Sequence, residues 1–458
     1  MDRKDAVRRY LSILADNNTI TITTKDREGN PWSAKVYYGD QDGYIYVILE
    51  PGGHTLKNLK DNPEVFFVIE KDDPVRFIQG RGIAEIIGPI NEHPEERTIV
   101  VRKNFPIIPF LKAHPDAVVV RIKPVKVWIT DLSEGFRPRM ELEFDNEVWR
   151  QIPELAPRPS KLKLYIQATR PWVIGITIWA VIIGTLMAPA VDIWKFILTL
   201  LGAVLAHLGV NAWSDYFDYR KGADRWDTMG SSRTIVDRLL QPREVLTIGT
   251  ILLILAGGVG MILYFLSGPG LLWLVLIGAV LGIFYAFVPI GWKYLALGDI
   301  AVFLAWSLIA VGAYYVQTGQ ISWIPFLAFL PVAVLVVGIL HGNNMRDMQD
   351  DIRAGYRTVA TLLGLKGSQY YYAFLIAISY LSLLILVIAR ILPVWSLLAL
   401  LTLPDAIRNV RWAFRPNFVQ FGMLDLYTAQ LANKVASLIA LGIVIDRIAL
   451  LGKLLRRS

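Results

Sequence analysis

Leu200-Leu-Gly-Ala-Val-Leu-Ala-His-Leu-Gly-Val-Asn211-Ala-Trp-Ser-Asp215-Tyr-Phe-Asp218-Tyr-Arg-Lys221-Gly-Ala-Asp224 passes without a break from an apolar run into a row of carboxylates. The apolar part belongs to a stretch near 192–211, close to the roughly twenty residues a bilayer requires. If the helix continues past Asn211, then Asn211, Asp215 and Asp218 fall on one face at four- and three-residue spacing. A second segment repeats the pattern after the apolar stretch 322–341: Asn343-Asn344-Met-Arg346-Asp347-Met-Gln-Asp350-Asp351-Ile-Arg-Ala-Gly. Here Asn344, Asp347 and Asp351 share a face, with Asp350 beside it.

Working outward from these two, about nine apolar spans of bilayer length follow one another. They lie near 168–187, 192–211, 244–266, 269–289, 297–317, 322–341, 369–389, 392–409 and 428–449. The eighth is the weakest, interrupted by Pro404, Asp405 and Arg408. Basic residues orient such a chain. Arg220, Lys221, Arg225, Arg233, Arg238 and Arg243 follow the second span, and Arg346, Arg353, Arg357 and Lys366 follow the sixth. The turn Ala188-Pro-Ala-Val-Asp192 after the first carries none. Loops after even-numbered spans are therefore expected in the cytoplasm, together with the N-terminal region, in a multi-pass protein of the cell membrane. An odd span count leaves Lys453, Arg456 and Arg457 on the opposite side, against the same rule.

The first third reads differently. Thr19–Thr24, Ala34–Tyr38, Tyr44–Leu49, Glu64–Ile69, Arg76–Ile87 and Ala117–Thr130 carry strand signals, with helices near Asp5–Asn17 and Pro94–Phe105. Short strands joined by Gly and Asp turns point to a small closed β-barrel. The expected organisation is multidomain: a barrel over 1–145, a Pro-rich linker over 146–163, and an all-α polytopic membrane domain over 164–458. The hydrophobic fraction of 54% agrees with a large membrane part. The net charge of +8 is then a topology signal, because no basic stripe interleaves with aromatics as nucleic-acid binding needs. The absence of cysteine excludes disulfides, thiolate metal sites and a Cys nucleophile. Met1-Asp-Arg-Lys-Asp5 opens a charged segment with no signal-peptide pattern.

Carboxylates crowded beside lipid repel one another, and a divalent cation removes that penalty. Mg²⁺ takes oxygen ligands and typically binds one or two carboxylates together with substrate phosphates. Two such faces could hold Mg²⁺ ions with a diphosphate between them, and nearby Arg and Lys would neutralise the rest. A metal-bound diphosphate is a good leaving group, so an allylic C–O bond could ionise. Aromatic walls, with Phe284, Tyr285, Phe303, Trp306, Tyr314 and Tyr315 as candidates, would stabilise the cation and exclude water. An ion-coupled transporter is the reading from another class. It fits less well, because the carboxylates sit at span ends and no inverted repeat is evident.

Asn211 to Asp224, Gly230-Ser-Ser-Arg233-Thr-Ile-Val with Gln241-Pro-Arg-Glu244, and Asn343 to Asp351 with Gly355-Tyr-Arg-Thr358 together resemble the UbiA superfamily of intramembrane prenyltransferases. Ala168-Thr-Arg170-Pro-Trp172 and Tyr314-Tyr-Val-Gln-Thr-Gly319 extend the match from about Ala168 to the C-terminus. The Asn-Asn-x-Arg-Asp-x-x-x-Asp form is most similar to 1,4-dihydroxy-2-naphthoate polyprenyltransferases of menaquinone synthesis. The resemblance implies that Asp215, Asp218, Asp347 and Asp351 are the catalytic, metal-holding residues. It implies Asn211, Arg233, Asn344, Arg346 and Arg357 as diphosphate partners, a polyprenyl diphosphate donor and an aromatic acceptor. Other acceptors on the same fold are 4-hydroxybenzoate, a porphyrin and the geranylgeranylglyceryl phosphate of archaeal lipid synthesis. Ser214 departs from the Asn-Asp pair usual in the first motif.

In the first third, Gly29-Asn-Pro-Trp-Ser-Ala-Lys35, Thr55-Leu-Lys57-Asn58-Leu-Lys60-Asp-Asn-Pro63 and Phe77-Ile-Gln-Gly-Arg81-Gly resemble the pyridoxamine 5′-phosphate oxidase-like split barrel. That family binds FMN or the deazaflavin F420 and commonly forms homodimers. The resemblance implies Lys35, Thr55, Lys57 and Asn58 around a cofactor phosphate. A barrel that has lost its cofactor and serves for docking or dimerisation is the other reading.

Overall fold

The computed structural model describes residues 3–71, 75–133, 139–228, 230–287 and 291–455. Contacts divide the chain into two compact units, 1–161 and 162–458.

In the first unit, seven strands form one antiparallel sheet: β1 (Thr19–Lys25), β2 (Pro31–Gln41), β3 (Tyr44–Leu49), β4 (Glu64–Glu70), β5 (Arg76–Pro89), β6 (Val118–Asp131) and β7 (Met140–Glu143). Their order is β3-β2-β1-β4-β5-β6-β7, and β3 also pairs with β6, so six strands close into a barrel while β7 extends beside β6. The alternation legible in β1 and β4 is the physical cause, since every second residue points inward and is buried. The interior holds α1 (Arg3–Asp16) through Val7, Leu11 and Leu14. Two buried tyrosines tie that helix region to the strands. Tyr10 donates to the Gly43 carbonyl at 2.9 Å and Tyr38 to the Leu14 carbonyl at 2.7 Å. The unit also carries α2 (His54–Asp61), α3 (Pro94–Lys103), α4 (Ile108–Ala113) and α5 (Asn146–Leu155).

Part of the expected linker is thus folded. Asp145 caps α5 by accepting from the Glu147 and Val148 amides, and Val148 and Ile152 join the barrel core. Pro157 and Pro159, beyond its end, cannot extend a helical ladder.

In the second unit the helices are α6 (Lys161–Ala168), α7 (Gly175–Leu186), α8 (Ile193–Lys221), α9 (Pro242–Ser267), α10 (Gly270–Ala286), α11 (Gly298–Thr318), α12 (Ile324–Arg353), α13 (Val359–Ile388), α14 (Leu403–Ala413) and α15 (Leu424–Leu455). Among the described residues, six are long and apolar enough to cross a membrane: α8, α9, α11, α12, α13 and α15. The pair Lys161–Val173 and Gly175–Leu186, bent by 55° between Val173 and Gly175, makes a seventh if it is counted as one span; within it Arg170 takes a left-handed conformation before Pro171. The nine expected spans therefore all overlap helix but are not alike. The fourth is the shorter apolar helix Gly270–Tyr285, and residues 288–289 of the expected stretch lie outside the described residues. The eighth is a 3₁₀ segment, Val394–Thr402, followed by α14. Pro404 opens α14, and Asp405 is paired with Arg408 and Lys434, so the residues that interrupt that stretch start a new helix. Arg456 and Arg457 lie outside the described residues.

Helices α7, α11, α12, α13 and α15 share one core around Phe329, Tyr372 and Tyr380. Polar groups inside it are satisfied between elements: Tyr372 with Thr428 and Tyr380 with Thr402, each at 2.6 Å, and Ser379 with the Pro331 carbonyl at 2.7 Å. Small residues permit close approach. A Cβ built on Gly184 of α7 would stand 2.2 Å from the Ala310 carbonyl oxygen of α11. Gly184→Val should therefore force α7 and α11 apart, cost about 1–3 kcal/mol, and lower the midpoint of a detergent thermal melt. A substitution at Gly257, which has nothing within 4 Å, should leave that midpoint in place.

Candidate functional site

α8 has 29 residues, about 44 Å at 1.5 Å per residue, against a hydrocarbon core of about 30 Å. Its last turns therefore leave the apolar layer, and those turns carry Asn211, Ser214, Asp215 and Asp218. Gly222 ends the helix in the left-handed region at φ 76°, and the Ala223 amide bonds back to the Asp218 carbonyl at 2.8 Å. That reversal brings Asp224 beside Asp218. α12, with 30 residues, does the same for Asn344, Asp347, Asp350 and Asp351. Both faces border one cavity of about 180 Å³. Six carboxylates line it (Asp218, Asp224, Asp299, Asp347, Asp350 and Asp351) against three cations, Arg170, Arg225 and Lys293, among the described residues.

Individual partners explain how so much negative charge is held. The Asp218 carboxylate accepts from Lys293 Nζ, from the Tyr294 hydroxyl and, at 3.1 Å, from Ser214 Oγ. Asp215, 2% exposed, lies behind the cavity wall, where Oδ2 accepts from the Ser232 amide at 2.8 Å and Arg170 Nε lies 3.5 Å from Oδ1. Asp347 receives a two-point bond from Arg346, both at 2.8 Å, and Arg346 continues to Asp425 at 2.7 Å. Arg225 lies 3.8 Å from Asp350. Asp224 has no such cation in contact. Burial, together with Asp218 and Asp215, pushes its carboxyl well above the usual range.

A third loop closes the site. Lys293 and Tyr294 follow α10, and this loop is stitched to the loop after α12. The Ala296 amide donates to the Arg357 carbonyl at 2.6 Å and the Arg357 amide to the Tyr294 carbonyl at 3.1 Å. The Tyr294 and Tyr356 rings meet at 4.5 Å, with Lys221 Nζ 3.5 Å from the Tyr294 ring centroid. Burial and Asp218 raise both phenols, Tyr356 to about 12, so both keep their protons at neutral pH.

Residues 176–418 match the model of the UbiA prenyltransferase family. The chain belongs to that family. It is a prenyltransferase with 34% identity, over 54% of its own length and 70% of the other protein's, to the UbiA prenyltransferase domain-containing protein 1 homolog of Drosophila melanogaster. It is 26% identical, over 64% of itself and 96% of the relative, to the 1,4-dihydroxy-2-naphthoate octaprenyltransferase of Bacillus subtilis (strain 168). The apo structure of a UbiA homolog from Aeropyrum pernix K1 aligns over 60% of this chain and 98% of that one, at TM-score 0.48 and 17% identity. Residues 6–131 match the pyridoxamine 5′-phosphate oxidase model, so a barrel of that kind precedes the UbiA domain.

Within the UbiA domain, Asp218, Asn344, Asp347 and Asp351 come together on the cavity wall. Asn211 supports them from behind, accepting from Arg170 at 3.3 Å and donating to the Thr169 carbonyl at 3.1 Å. Ser214 acts as a bridge, accepting from Lys293 at 3.1 Å while donating to Asp218. Arg233 stands apart. At φ 63° it binds Asp237 and the carbonyls of Thr228 and Trp226, which shapes the loop after α8. The Arg346 guanidinium is committed to Asp347, Asp425 and Asn343, and the exposed Arg357 enters through its backbone. Of the proposed wall aromatics, Tyr285 lines the cavity. Lys293, Tyr294 and Asp299 were not singled out from sequence, whereas Asp224 is part of the first motif but was given no role in the site. The available signal was that Lys293 is the one cation in the loop after the fourth span, on the side expected for both motifs.

In the barrel, α2 packs on β1 and β2, which brings Thr55, Lys57 and Asn58 near the strand that carries Lys35. Thr55 and Asn58 are buried, with Asn58 Nδ2 donating to Thr24 Oγ1 at 3.0 Å, whereas Lys35 and Lys57 are exposed.

The hydroxyl of Tyr294 holds Asp218, so Tyr294→Phe should cost about 1.5–3 kcal/mol of a charged hydrogen bond. That is a fall of roughly ten-fold or more in kcat/KM for the prenyl diphosphate, measured at saturating acceptor with the folded fraction checked by melting.

Proposed function

We propose that this chain transfers a polyprenyl group from its diphosphate to a ring carbon of 1,4-dihydroxy-2-naphthoate, with Mg²⁺ at the two carboxylate faces. The observation that carries the reading is the charge balance of the cavity, with six carboxylates against three cations. A diphosphate entering that wall unaided would meet net repulsion. Hard oxygen ligands on two facing helices suit Mg²⁺. Among the described residues no three acidic or imidazole side chains converge into a ready cage. That agrees with an ion that takes its other ligands from the substrate and water. Bound there, Mg²⁺ would supply charge neutralisation of the diphosphate as it leaves.

The chain's own residues then have distinct parts. Asp218, Asp347 and Asp351 are the facing ligand groups, with Asp215 behind them. Asn211 and Asn344 fix the orientation of the two helix ends. Lys293, Arg170 and Arg225 neutralise phosphate oxygens, Arg346 holds Asp347 in place, and Arg233 shapes the loop between. As the C1–O bond breaks, the diphosphate keeps the bonding pair and a ring carbon of the acceptor bonds to C1. Loss of the ring proton, or of a ring carboxylate as CO₂, restores aromaticity. The 1,4-dihydroxy-2-naphthoate octaprenyltransferase of Bacillus subtilis supports this acceptor. The basic residues that follow even-numbered spans support a cytoplasmic side for the site loops and the barrel.

For the barrel we propose FMN or F420 binding, with a part in keeping the quinol product reduced and a homodimer as its assembly. The exposed Lys35 on β2 and Lys57 on α2, the helix that also carries Thr55, stand on packed elements, and two cations there suit an anionic phosphate. A visible flavin or deazaflavin band after reconstitution, lost in a Lys35→Ala, Lys57→Ala double variant, is expected. A colourless protein would make the barrel a docking module.

The prenyl-transfer reading is tested with full-length protein in detergent, geranylgeranyl diphosphate, Mg²⁺ and a panel of acceptors, read by product mass. Prenylated naphthoate product is expected, falling more than a hundred-fold in Asp347→Ala. Transfer only to 4-hydroxybenzoate, a porphyrin or geranylgeranylglyceryl phosphate would replace the acceptor, and full activity in Asp347→Ala would remove the site.

A further inference from the structure

Asp299 adds to the negative charge of the cavity wall but is not among the ligand groups assigned above. Asp299 sits in the first turn of α11, 6% exposed, and lines the cavity. It does not belong to either helix face that carries the two motifs. Its carboxyl group is a neighbour of the Tyr371 hydroxyl of α13. Its Oδ2 is buried with no hydrogen-bond partner among the described residues. Behind Tyr371 lies His341, fully buried, whose ring stands edge-on to the Tyr371 ring at 4.7 Å and 83°. His341 Nε2 lies 3.2 Å from the Ser368 carbonyl oxygen. A carbonyl only accepts, so Nε2 carries the proton and Nδ1 is left as a bare acceptor. Nδ1 too is buried without a partner.

Among the described residues, Asp299 Oδ2 on the cavity wall and His341 Nδ1 behind Tyr371 are therefore two buried acceptors without a donor. The Tyr371 hydroxyl already faces Asp299. Lys293 is engaged with Asp218 and Ser214, and Arg170 with Gly230, Asn211 and Asp215. An unsatisfied buried carboxylate oxygen is costly, and a ligand that brings a hydrogen-bond donor relieves the cost. A carboxylate or phosphate brings none and would be repelled. A hydroxyl on an aromatic ring fits, and a charged acceptor makes the stronger bond.

Resting on the prenyl-transfer reading, we propose that Asp299 is the recognition group for a phenolic hydroxyl of the aromatic acceptor, and that Tyr371 positions it, with His341 packed behind. The location agrees. A Cβ built on the neighbouring Gly298 would stand 3.3 Å from Lys293 Cα and 3.4 Å from Leu340 Cδ2. Gly298 thus lies between the loop that carries Lys293 and the helix that carries Asn344 and Asp347, and Asp299 beside it lines the same cavity from a third helix. A hydrogen bond from the hydroxyl to a carboxylate also raises electron density on the ring, which favours attack by the ring carbon on C1. The acceptor class this selects is hydroxylated, so methylating the hydroxyl should abolish recognition.

The test uses the full-length protein in detergent, with 1-naphthol and 1-methoxynaphthalene as probes read by quenching of tryptophan fluorescence. The wild type is expected to bind 1-naphthol at least about ten-fold more tightly than the methyl ether, the factor a charged hydrogen bond supplies. Asp299→Asn and Asp299→Ala should lose most of that preference, while the KM for geranylgeranyl diphosphate stays within about two-fold. Tyr371→Phe, which keeps the carboxylate but releases it, should lose part of the preference, and Asp299→Glu should restore some of it. Equal binding of the two probes by the wild type would overturn the proposal. A variant that weakens the prenyl diphosphate instead would overturn it as well, since Asp299 would then belong to the metal and diphosphate set. Failure of the prenyl-transfer reading appears elsewhere, as an absence of product with every acceptor while the naphthol preference is intact.

Discussion

The rest of the membrane unit depends on one electrostatic constraint: carboxylates gathered at the mouth of a helix bundle with too few cations to balance them. Two helices longer than the bilayer core deliver the charges. Lys293, Tyr294 and Ser214 hold Asp218, and Arg346 holds Asp347. What these partners leave over is negative charge directed at a cavity. On the proposed reading, an anionic substrate enters there together with divalent cations, which that same imbalance would attract.

The close helix packing makes that arrangement possible. Gly184 lets α7 approach α11, and between α8 and α9 Gly209 and Gly249 meet closely enough that a Cβ on either would lie 3.0 Å from the other's carbonyl oxygen. Tyrosine–threonine pairs satisfy the hydroxyls left inside. A rigid bundle of this kind fixes the two carboxylate faces at a set separation. The loop after α10 then locks both through Asp218 on one side and Arg357 on the other.

Much of this was legible in sequence, because bilayer length and helical periodicity are local properties. The row Asn211, Asp215, Asp218 and its counterpart in α12 could be placed on helix faces from spacing alone. What spacing does not convey is direction after tertiary closure. Asp215 turns to the Ser232 amide and Arg170, away from the cavity. Arg233, read as a phosphate partner, is instead fastened to Asp237. Lys293 meets Asp218 across 75 positions of chain, a contact with no periodic signature. The eighth span carries a legible warning in Pro404 and Asp405, and the structure turns it into a 3₁₀ segment and a new helix. In the barrel the alternation of β1 and β4 was readable, whereas β7 was not read and α5 was hidden by Pro153 and its own short length.

The central claim is that the two carboxylate faces bind diphosphate only together with a divalent cation. Binding of farnesyl thiodiphosphate, an analogue that resists ionisation, can be measured by calorimetry on the full-length protein with Mg²⁺ and again with EDTA. The account predicts affinity at least about a hundred-fold weaker in EDTA, a difference of about 2.7 kcal/mol. It also predicts that Asp218→Ala combined with Asp347→Ala removes the Mg²⁺ effect. Equal affinity in Mg²⁺ and EDTA would contradict it.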